Sequence, residues 1–236
     1  MINKFNKTGF GLLVAALSVA AIAIQDGISL KRAVKVGETA KFRLKADVDI
    51  QGMEASFNTL ITEKITKVET SGNYTLESAQ SDGKVNIGGQ EMEVPGSTQT
   101  STYKATGEVV EIKADNVDGS MYRTANLTSF IVNDKAVKVG DTWTIEIKKD
   151  DKTGAAAAKG NFKVEGEEKV GERDCFKVKH NIKESEGGDA AASVEATSWI
   201  SKKDGSLVKS EGNWKNVPFP GAPGPINAKF VMTREG

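Results

Sequence analysis

The residues best suited to chemistry in this chain are its one histidine, His180, and its one cysteine, Cys175. A histidine that acts as a general base needs a nucleophile and an orienting group near it, and the sequence holds no G-x-S-x-G or comparable nucleophile motif. A reactive thiol needs a basic environment and a resolving partner, and no second cysteine exists. We therefore expect no catalytic residue and no enzymatic activity.

The spacing of the possible metal ligands in the sequence does not predict a metal site. One histidine and one cysteine without paired spacing do not predict a zinc site. The acidic turns at 148–154 and 185–190 do not match the D-x-[DN]-x-[DN]-G spacing of a calcium loop. The sequence thus predicts no metal and no cofactor. Aspartate and glutamate are plentiful, so composition leaves a paired-carboxylate hydrolase open as an alternative.

The first residues have the pattern of a secretory signal peptide. Lys4 and Lys7 precede an apolar run from residue 10 to residue 23, which ends in Ala-Ile-Ala, a sequence that suits a cleavage site. The run is too short for a comfortable membrane span. We predict a signal peptide over residues 1–23, and no transmembrane span after its removal.

Charge and cysteine content narrow the compartment and the partners. Thirty-two basic and 32 acidic residues balance to a net charge of zero. Nucleic acids and anionic bilayers select basic clusters, so no nucleic-acid partner is expected. One cysteine leaves no internal disulfide, and secretion without disulfides fits a protein of the bacterial cell envelope, secreted or periplasmic, that depends on its core.

The elements that must position any site are organised around a repeated phrase. "AVKVGETAKFRLKAD" at 33–47 returns without a gap as "AVKVGDTWTIEIKKD" at 136–150. In each copy a glycine precedes a run of alternating apolar and polar residues, and that period of two predicts a strand with one face toward the core. We infer an old duplication, with a first β repeat over 24–119, a connecting segment over 120–134 and a second β repeat over 135–236.

Short strand patterns separated by Gly, Asp and Asn turns follow one another throughout both halves. Only the segment 120–134 has a helical pattern, of a turn or two. The proline-rich segment 217–228 cannot pair as a central strand, so we expect a stiff connection to the last strand, with a lid or peptide ligand as the alternative. The sequence predicts an all-β protein with a minor helix, whose antiparallel strands form a curved sheet or an open β-barrel built from two related halves.

The second half carries hairpin motifs that resemble those of secreted bacterial families of unknown function. The motifs are a G-D-x-W strand opening in "VKVGDTW", a hairpin in "VEGEEKVGERDCFKVK" and a D-G-x-L-V-K hairpin in "SWISKKDGSLVKSEG". In the first half Ala40 stands where Trp143 stands in the second, so the pattern is weaker there. Such families are similar in strand order to periplasmic lipoprotein carriers of the LolA/LolB type, and that resemblance implies an open barrel that shelters acyl chains.

We therefore expect a non-enzymatic envelope protein that binds a lipid or another apolar molecule on a curved sheet. One alternative is a structural or interaction module whose partner is another envelope protein, and a second is an unrecognised hydrolase. A continuous apolar cavity favours the first reading, a filled core the second, and a cleft with convergent polar groups the third. The expected ligand-binding residues share the apolar faces of three strands: Phe42, Leu44, Trp143, Ile145, Ile147, Phe176 and Val178.

Overall fold

The computed structural model describes residues 27–50, 52–220 and 222–236. The predicted signal peptide lies outside these residues. Strands make up 59% of the structure and helices 6%, so the predicted all-β class with a minor helix is confirmed. The elements in chain order are β1 (Thr39–Ile50), β2 (Met53–Val68), β3 (Tyr74–Ile87), β4 (Gln90–Val94), β5 (Ser97–Tyr103), β6 (Val109–Lys113), α1 (Gly119–Thr128), β7 (Thr142–Ile147), β8 (Ala158–Val170), β9 (Arg173–Glu184), a 3-10 turn (Gly188–Ala190), β10 (Ser193–Ser201), β11 (Leu207–Val217) and β12 (Ile226–Glu235).

The described strands form one antiparallel sheet made of two meanders. The strand order is β6-β5-β3-β2-β1-β12-β11-β10-β9-β8-β7, and β4 pairs with β3 outside this path. The first and last strands, β1 and β12, pair at the seam between the two meanders. A sheet of this width must coil because its strands twist. The outermost strands β6 and β7 do not pair with each other, so the curved sheet stays open.

The two copies of the repeated phrase fold into matching turns. The N–H of Gly37 donates to the carbonyl of Ile65 at 2.8 Å, and the N–H of Gly140 donates to the carbonyl of Val164 at 2.9 Å. Both glycines have a positive φ, +85° and +93°, which a residue with a Cβ adopts only with strain. Each phrase therefore starts a strand and joins it to the next. The division into two related repeats remains a prediction that superposition of the halves would test.

Alternation along the strands separates an apolar inner face from a charged outer face. On β1 Phe42 and Leu44 are buried, whereas Lys41 and Lys45 are exposed. Side chains directly opposite each other on neighbouring strands share a face, so the register extends this pattern across the sheet. Leu44, for example, lies opposite Met232 of β12. The main hydrophobic core lies on the inner face.

Helix α1 lies within the curve of the sheet. Asp118 caps its N-terminus by accepting hydrogen bonds from the backbone N–H groups of Ser120 and Met121. The helix contacts β6 in one half of the sheet and β9 and β10 in the other half. A ten-residue helix can touch both halves only where the sheet bends around it. Within the described part of the chain, no helix is long and apolar enough to cross a membrane.

Two side chains of α1 attach it to the opposite wings of the sheet. The hydroxyl of Tyr122 accepts a hydrogen bond from the N–H of Ile112 on β6 at 3.0 Å. The guanidinium of Arg123 donates to both carboxylate oxygens of Glu184 on β9, each at 2.7 Å. Planar pairing of this kind fixes orientation as well as distance. The helix is therefore held across the concave face.

Hairpin turns fix the segments that lead into the repeated phrases. The carbonyl of Asp204 accepts a hydrogen bond from the N–H of Ala33 at 2.8 Å, and the carbonyl of Thr106 accepts one from the N–H of Val132 at 2.9 Å. The second contact also fixes the backbone near Phe130, which follows the end of α1 and packs against the core. These turns thus contribute to the position of the helix.

A small apolar cluster on the outer face contains Cys175 and Trp199. The ammonium groups of Lys177 and Lys209 lie 5.5 and 4.4 Å from the Trp199 ring centroid. The indole N–H of Trp199 donates to the Glu168 carboxylate at 3.0 Å. Cys175 has no accessible surface beneath this cluster, on the face opposite to α1.

Candidate functional site

A cavity of about 720 Å³ lies between α1 and the inner face of the sheet. Small-molecule sites in proteins have volumes of roughly 300–1,000 Å³ and predominantly apolar walls. The sheet supplies apolar side chains from five of its central strands and from β3. These lining residues are Phe42, Leu44, Ile61, Leu76, Val194, Ile200, Leu207, Trp214, Phe230 and Met232.

The wall opposite the sheet comes from α1 and the residues after it. Met121, Thr124 and Ala125 of the helix face the cavity, and Phe130 follows them. The short side chain of Ala125 leaves room between the helix and the sheet. The cavity therefore exists because α1 bridges the curved sheet without filling it.

The proline-rich segment covers one end of the cavity. The ring of Phe219 stacks on Trp214, with 5.7 Å between the ring centroids, and Pro220 also lines the space. The carbonyl of Pro218 accepts a hydrogen bond from the Thr124 hydroxyl of α1 at 3.0 Å. Residues 218–225, which contain all four prolines, thus connect β11 to β12 as expected and form part of the cavity wall. The prediction that all of 217–228 stays unpaired was wrong at its two ends, because Val217 and Ile226 pair with each other and Ala228 pairs with Trp214.

Aromatic rings fill the β7–β9 wing of the inner face. Trp143 stacks on Phe162 with 4.9 Å between centroids, and Phe162 stacks on His180 with 5.3 Å. Phe130 meets all three rings edge-on at 5.7 to 6.3 Å. The indole N–H of Trp143 donates to the carbonyl of Ile131 at 3.0 Å. This stack closes the cavity on that side.

A strip of three polar side chains crosses the inner face on β9, β10 and β11. His180 Nε2 lies 3.0 Å from Ser198 Oγ, and Ser198 Oγ lies 3.0 Å from Ser210 Oγ. All three residues are buried and line the cavity. Burial lowers the pKa of His180 to about 4, so the ring is neutral at physiological pH. We call these residues the polar strip.

The β2–β5 wing carries a second polar group at the cavity wall. The Arg32 guanidinium lies 3.3 Å from the Glu63 carboxylate and 5.8 Å from the Tyr74 ring centroid, and Tyr74 stacks on Tyr103 at 5.5 Å. Burial raises the pKa of the Glu63 carboxyl, and the neighbouring Arg32 opposes that rise. Burial also raises the pKa of Tyr103. The charge of Arg32 is therefore already paired within the protein.

The mouth of the cavity lies where its lining residues are exposed to solvent. Ser97 and Thr98 of β5 and Asp115 and Asn116 of the loop before α1 are both lining and exposed. A ligand with one polar end and one apolar end could place its polar end at this rim and its apolar part beneath α1.

The structure separates the seven predicted ligand-binding residues into two groups. Phe42 and Leu44 line the cavity. The other five lie on or beside the packed core of the β7–β9 wing and are not among the lining residues. Of these, Trp143, Phe176 and Val178 are buried, and Ile145 and Ile147 pack against the core. Whether any of the seven binds a ligand stays a prediction.

Sequence reasoning missed the contributions of β10, β11 and β12 to the cavity. Ser198, Ser210, Phe230 and Met232 occupy alternate positions that share the inner face. The alternation of residues along these strands could have predicted that these four side chains lie on the inner face of the sheet. It carried no information on which strands lie beneath the helix.

The polar strip places a histidine beside a serine, as in nucleophilic catalysis, but without the third group. His180 Nδ1 is buried and has no hydrogen-bond partner among the described residues. A catalytic base is normally oriented through that nitrogen, and a pKa of about 4 makes His180 a weak base. Within the described ranges, no group of three or more His, Cys, Asp or Glu side chains is placed to hold a metal ion.

No protein-family model matches the chain, and no curated protein matches it in sequence. Among solved structures, a candidate lipoprotein of Parabacteroides distasonis has a TM-score of 0.36 and 14% identity, over 89% of this chain and 99% of its own. A candidate exported protein of Bacteroides fragilis with a YmcC-like fold has a TM-score of 0.35 and 10% identity, over 89% and 98%. A DUF1329 family protein of Desulfovibrio piger has a TM-score of 0.24 and 10% identity, over 85% of each chain. At these scores the likeness carries neither fold nor function to this chain.

Proposed function

We propose that this chain is a non-enzymatic protein of the bacterial cell envelope, secreted or periplasmic, that binds a lipid or another apolar molecule. The binding site is the cavity between α1 and the inner face of the sheet. The observation that carries the proposal is the volume of about 720 Å³ with walls made largely of aromatic and aliphatic side chains. Transfer of apolar ligand surface from water into such a space is favourable.

The cavity favours a binding protein over the other two candidate functions. A structural module with no ligand would fill the inner face with its own side chains, as the β7–β9 wing does. A hydrolase that used the His180–Ser198 pair would need an oriented base, and His180 Nδ1 has no partner among the described residues. The envelope location rests on the signal-peptide pattern of residues 1–23. The hairpin motifs resemble those of secreted bacterial families, which are similar in strand order to LolA/LolB-type carriers, and a sheltered acyl chain agrees with that resemblance.

A charge placed in the cavity is expected to abolish ligand binding. Met232 on β12 is half-buried and lines the cavity, opposite Leu44. In the Met232→Asp variant, an acyl chain would have to bury a carboxylate, which costs more than 1.4 kcal/mol, so we expect affinity to fall at least about tenfold. Fluorescence titration of the chain without residues 1–23 with a pyrene-labelled fatty acid or its methyl ester measures this.

Val231→Asp is the matched control for this variant. Val231 precedes Met232 on the same strand, points to the outer face and is 36% exposed. We expect it to bind the probe like the unchanged protein. Saturable binding that Met232→Asp leaves intact would place the ligand elsewhere. A folded protein that binds no apolar probe would instead favour the structural module.

A further inference from the structure

The polar strip lies in a cavity wall that is otherwise largely apolar at its centre. His180, Ser198 and Ser210 are 4%, 2% and 6% exposed, and each belongs to a different strand. Their apolar neighbours on the inner face of the same strands include Val194 and Ile200, and Trp214 presents an aromatic ring whose buried N–H has no partner among the described residues. Burying polar side chains here costs free energy unless each hydrogen is donated to an acceptor.

The strip has one more donor hydrogen than it has internal hydrogen bonds. The two serine hydroxyls and the neutral imidazole carry one hydrogen each, and the strip contains two hydrogen bonds. If His180 carries its hydrogen on Nε2, it donates to Ser198. The hydrogen left over then belongs to Ser210 when Ser198 donates to Ser210, or to Ser198 when Ser210 donates to Ser198. If the hydrogen is on Nδ1, that buried N–H is left over, because Nδ1 has no partner among the described residues.

The first arrangement agrees better with the surroundings of the two ends. Nδ1 is an enclosed atom without measurable solvent contact, in a ring that lies between Phe162 and Phe130. Ser210 is at the other end of the strip, opposite Met232, and lines the cavity. With the hydrogen on Nε2, Nδ1 carries no hydrogen, so no buried N–H is left without an acceptor among the aromatic rings. The free hydrogen then belongs to one of the two serines, and Ser210, at the end of the strip and less deeply buried than Ser198, is the one that a bound molecule reaches more easily.

The neutral charge of the polar strip determines which hydrogen-bond acceptor of a ligand can be buried beside it. The strip is neutral, since burial holds the pKa of His180 at about 4. The guanidinium of Arg32, at the other wing, is already paired with Glu63 at 3.3 Å. A carboxylate at Ser210 would therefore be buried without a cation, whereas an uncharged carbonyl accepts the same hydrogen bond at a smaller desolvation cost.

We propose that Ser210, at the end of the polar strip, donates a hydrogen bond to an uncharged acceptor, and that the ligand is an acyl ester rather than a free fatty acid. This inference rests on the proposed function and specifies the ligand class for the same cavity. The apolar chain occupies the space between Phe42, Phe230 and α1, and the ester carbonyl faces Ser210.

Three pyrene-labelled probes of equal chain length test this inference: the free fatty acid, its methyl ester and the corresponding alkane. For the unchanged protein at pH 8 we expect the ester to bind about fivefold to tenfold more tightly than the alkane, and the acid to bind more weakly than the ester. The triple variant His180→Phe/Ser198→Ala/Ser210→Ala replaces the strip by apolar groups of similar shape, a change that folded proteins tolerate. In that variant the ester and the alkane should bind equally.

Single variants refine the test and guard against misfolding of the triple variant. Ser210→Thr keeps the hydroxyl and should keep the preference for the ester. Ser210→Ala moves the free hydrogen to Ser198, one strand away, and should lower the preference. Equal affinity for ester and alkane in the unchanged protein, or a preference that survives in Ser210→Ala and in the triple variant, would overturn the inference while leaving an apolar site. Failure of all three probes to bind would reject the proposed function itself.

Discussion

Replacing Arg123 with methionine is expected to lower the free energy of unfolding by about 3 kcal/mol, because the change leaves a buried carboxylate without its cation. The Glu184 side chain is 5% exposed and accepts both of its short hydrogen bonds from Arg123. Among the described residues, it also accepts a hydrogen bond from the N–H of Ala192, at 3.3 Å. Urea unfolding at neutral pH, followed by tryptophan fluorescence, measures the loss.

A second variant separates the buried charge from the contact of the helix. In the double variant Arg123→Met/Glu184→Met the carboxylate is gone, so most of the lost stability should return. Lys104→Met is the control, since Lys104 and its partner Glu108 form an exposed ion pair, for which less than about 1 kcal/mol is expected. An Arg123→Met effect as small as that of Lys104→Met would contradict the assigned role of this pair in holding α1.

Acidification is expected to destabilise the protein through His180 by about 3 kcal/mol between pH 6.5 and pH 4. Burial lowers the folded-state pKa of His180 to about 4, whereas an unfolded histidine titrates near 6.5. In that window the unfolded chain binds a proton that the folded chain does not, so the stability present above pH 6.5 is lost as the pH falls. Urea unfolding at a series of pH values measures the slope.

The variant His180→Phe isolates this contribution from those of other groups. Phenylalanine keeps an aromatic ring beside Phe162 and Phe130 and leaves Ser198 and Ser210 to pair with each other. Carboxyl groups titrate in both proteins, so the difference between the two curves belongs to His180. We expect the difference to grow by about 3 kcal/mol across the window. Parallel curves would show that the imidazole is protonated at no cost in the folded state.

Much of the local structure followed from the sequence. The period of two around Phe42 and Trp143 predicted strands and the side of the sheet on which each residue lies. Glycines at 37 and 140 marked the turns, because both need a positive φ. The prediction of one short helix near 120–134 was also correct, and the helix runs from Gly119 to Thr128. These features depend on neighbours a few residues apart.

The location of the cavity could not be predicted in the same way. Five predicted residues, Trp143, Ile145, Ile147, Phe176 and Val178, have the correct apolar alternation but lie on the wing that aromatic rings fill. Alternation of apolar and polar residues indicates which face of the sheet a side chain lies on. It does not indicate whether other side chains cover that face or leave a cavity. That covering is set by Phe130 and α1, which reach the sheet only after the chain has folded back on itself.

The sequence by itself determined the β class, the antiparallel strands and the inner and outer faces, because alternation and turn chemistry act over short stretches of chain. It left a curved sheet and an open β-barrel as alternatives, and the structure has one curved sheet that is not closed into a barrel. Tertiary structure decided where an apolar space remains. Pairing of β1 with β12 places Leu44 opposite Met232, residues from the two ends of the described chain. Attachment of Arg123 to Glu184 holds α1 across both wings. A cavity is the volume left between such distant elements, and so it depends on contacts that no local pattern encodes.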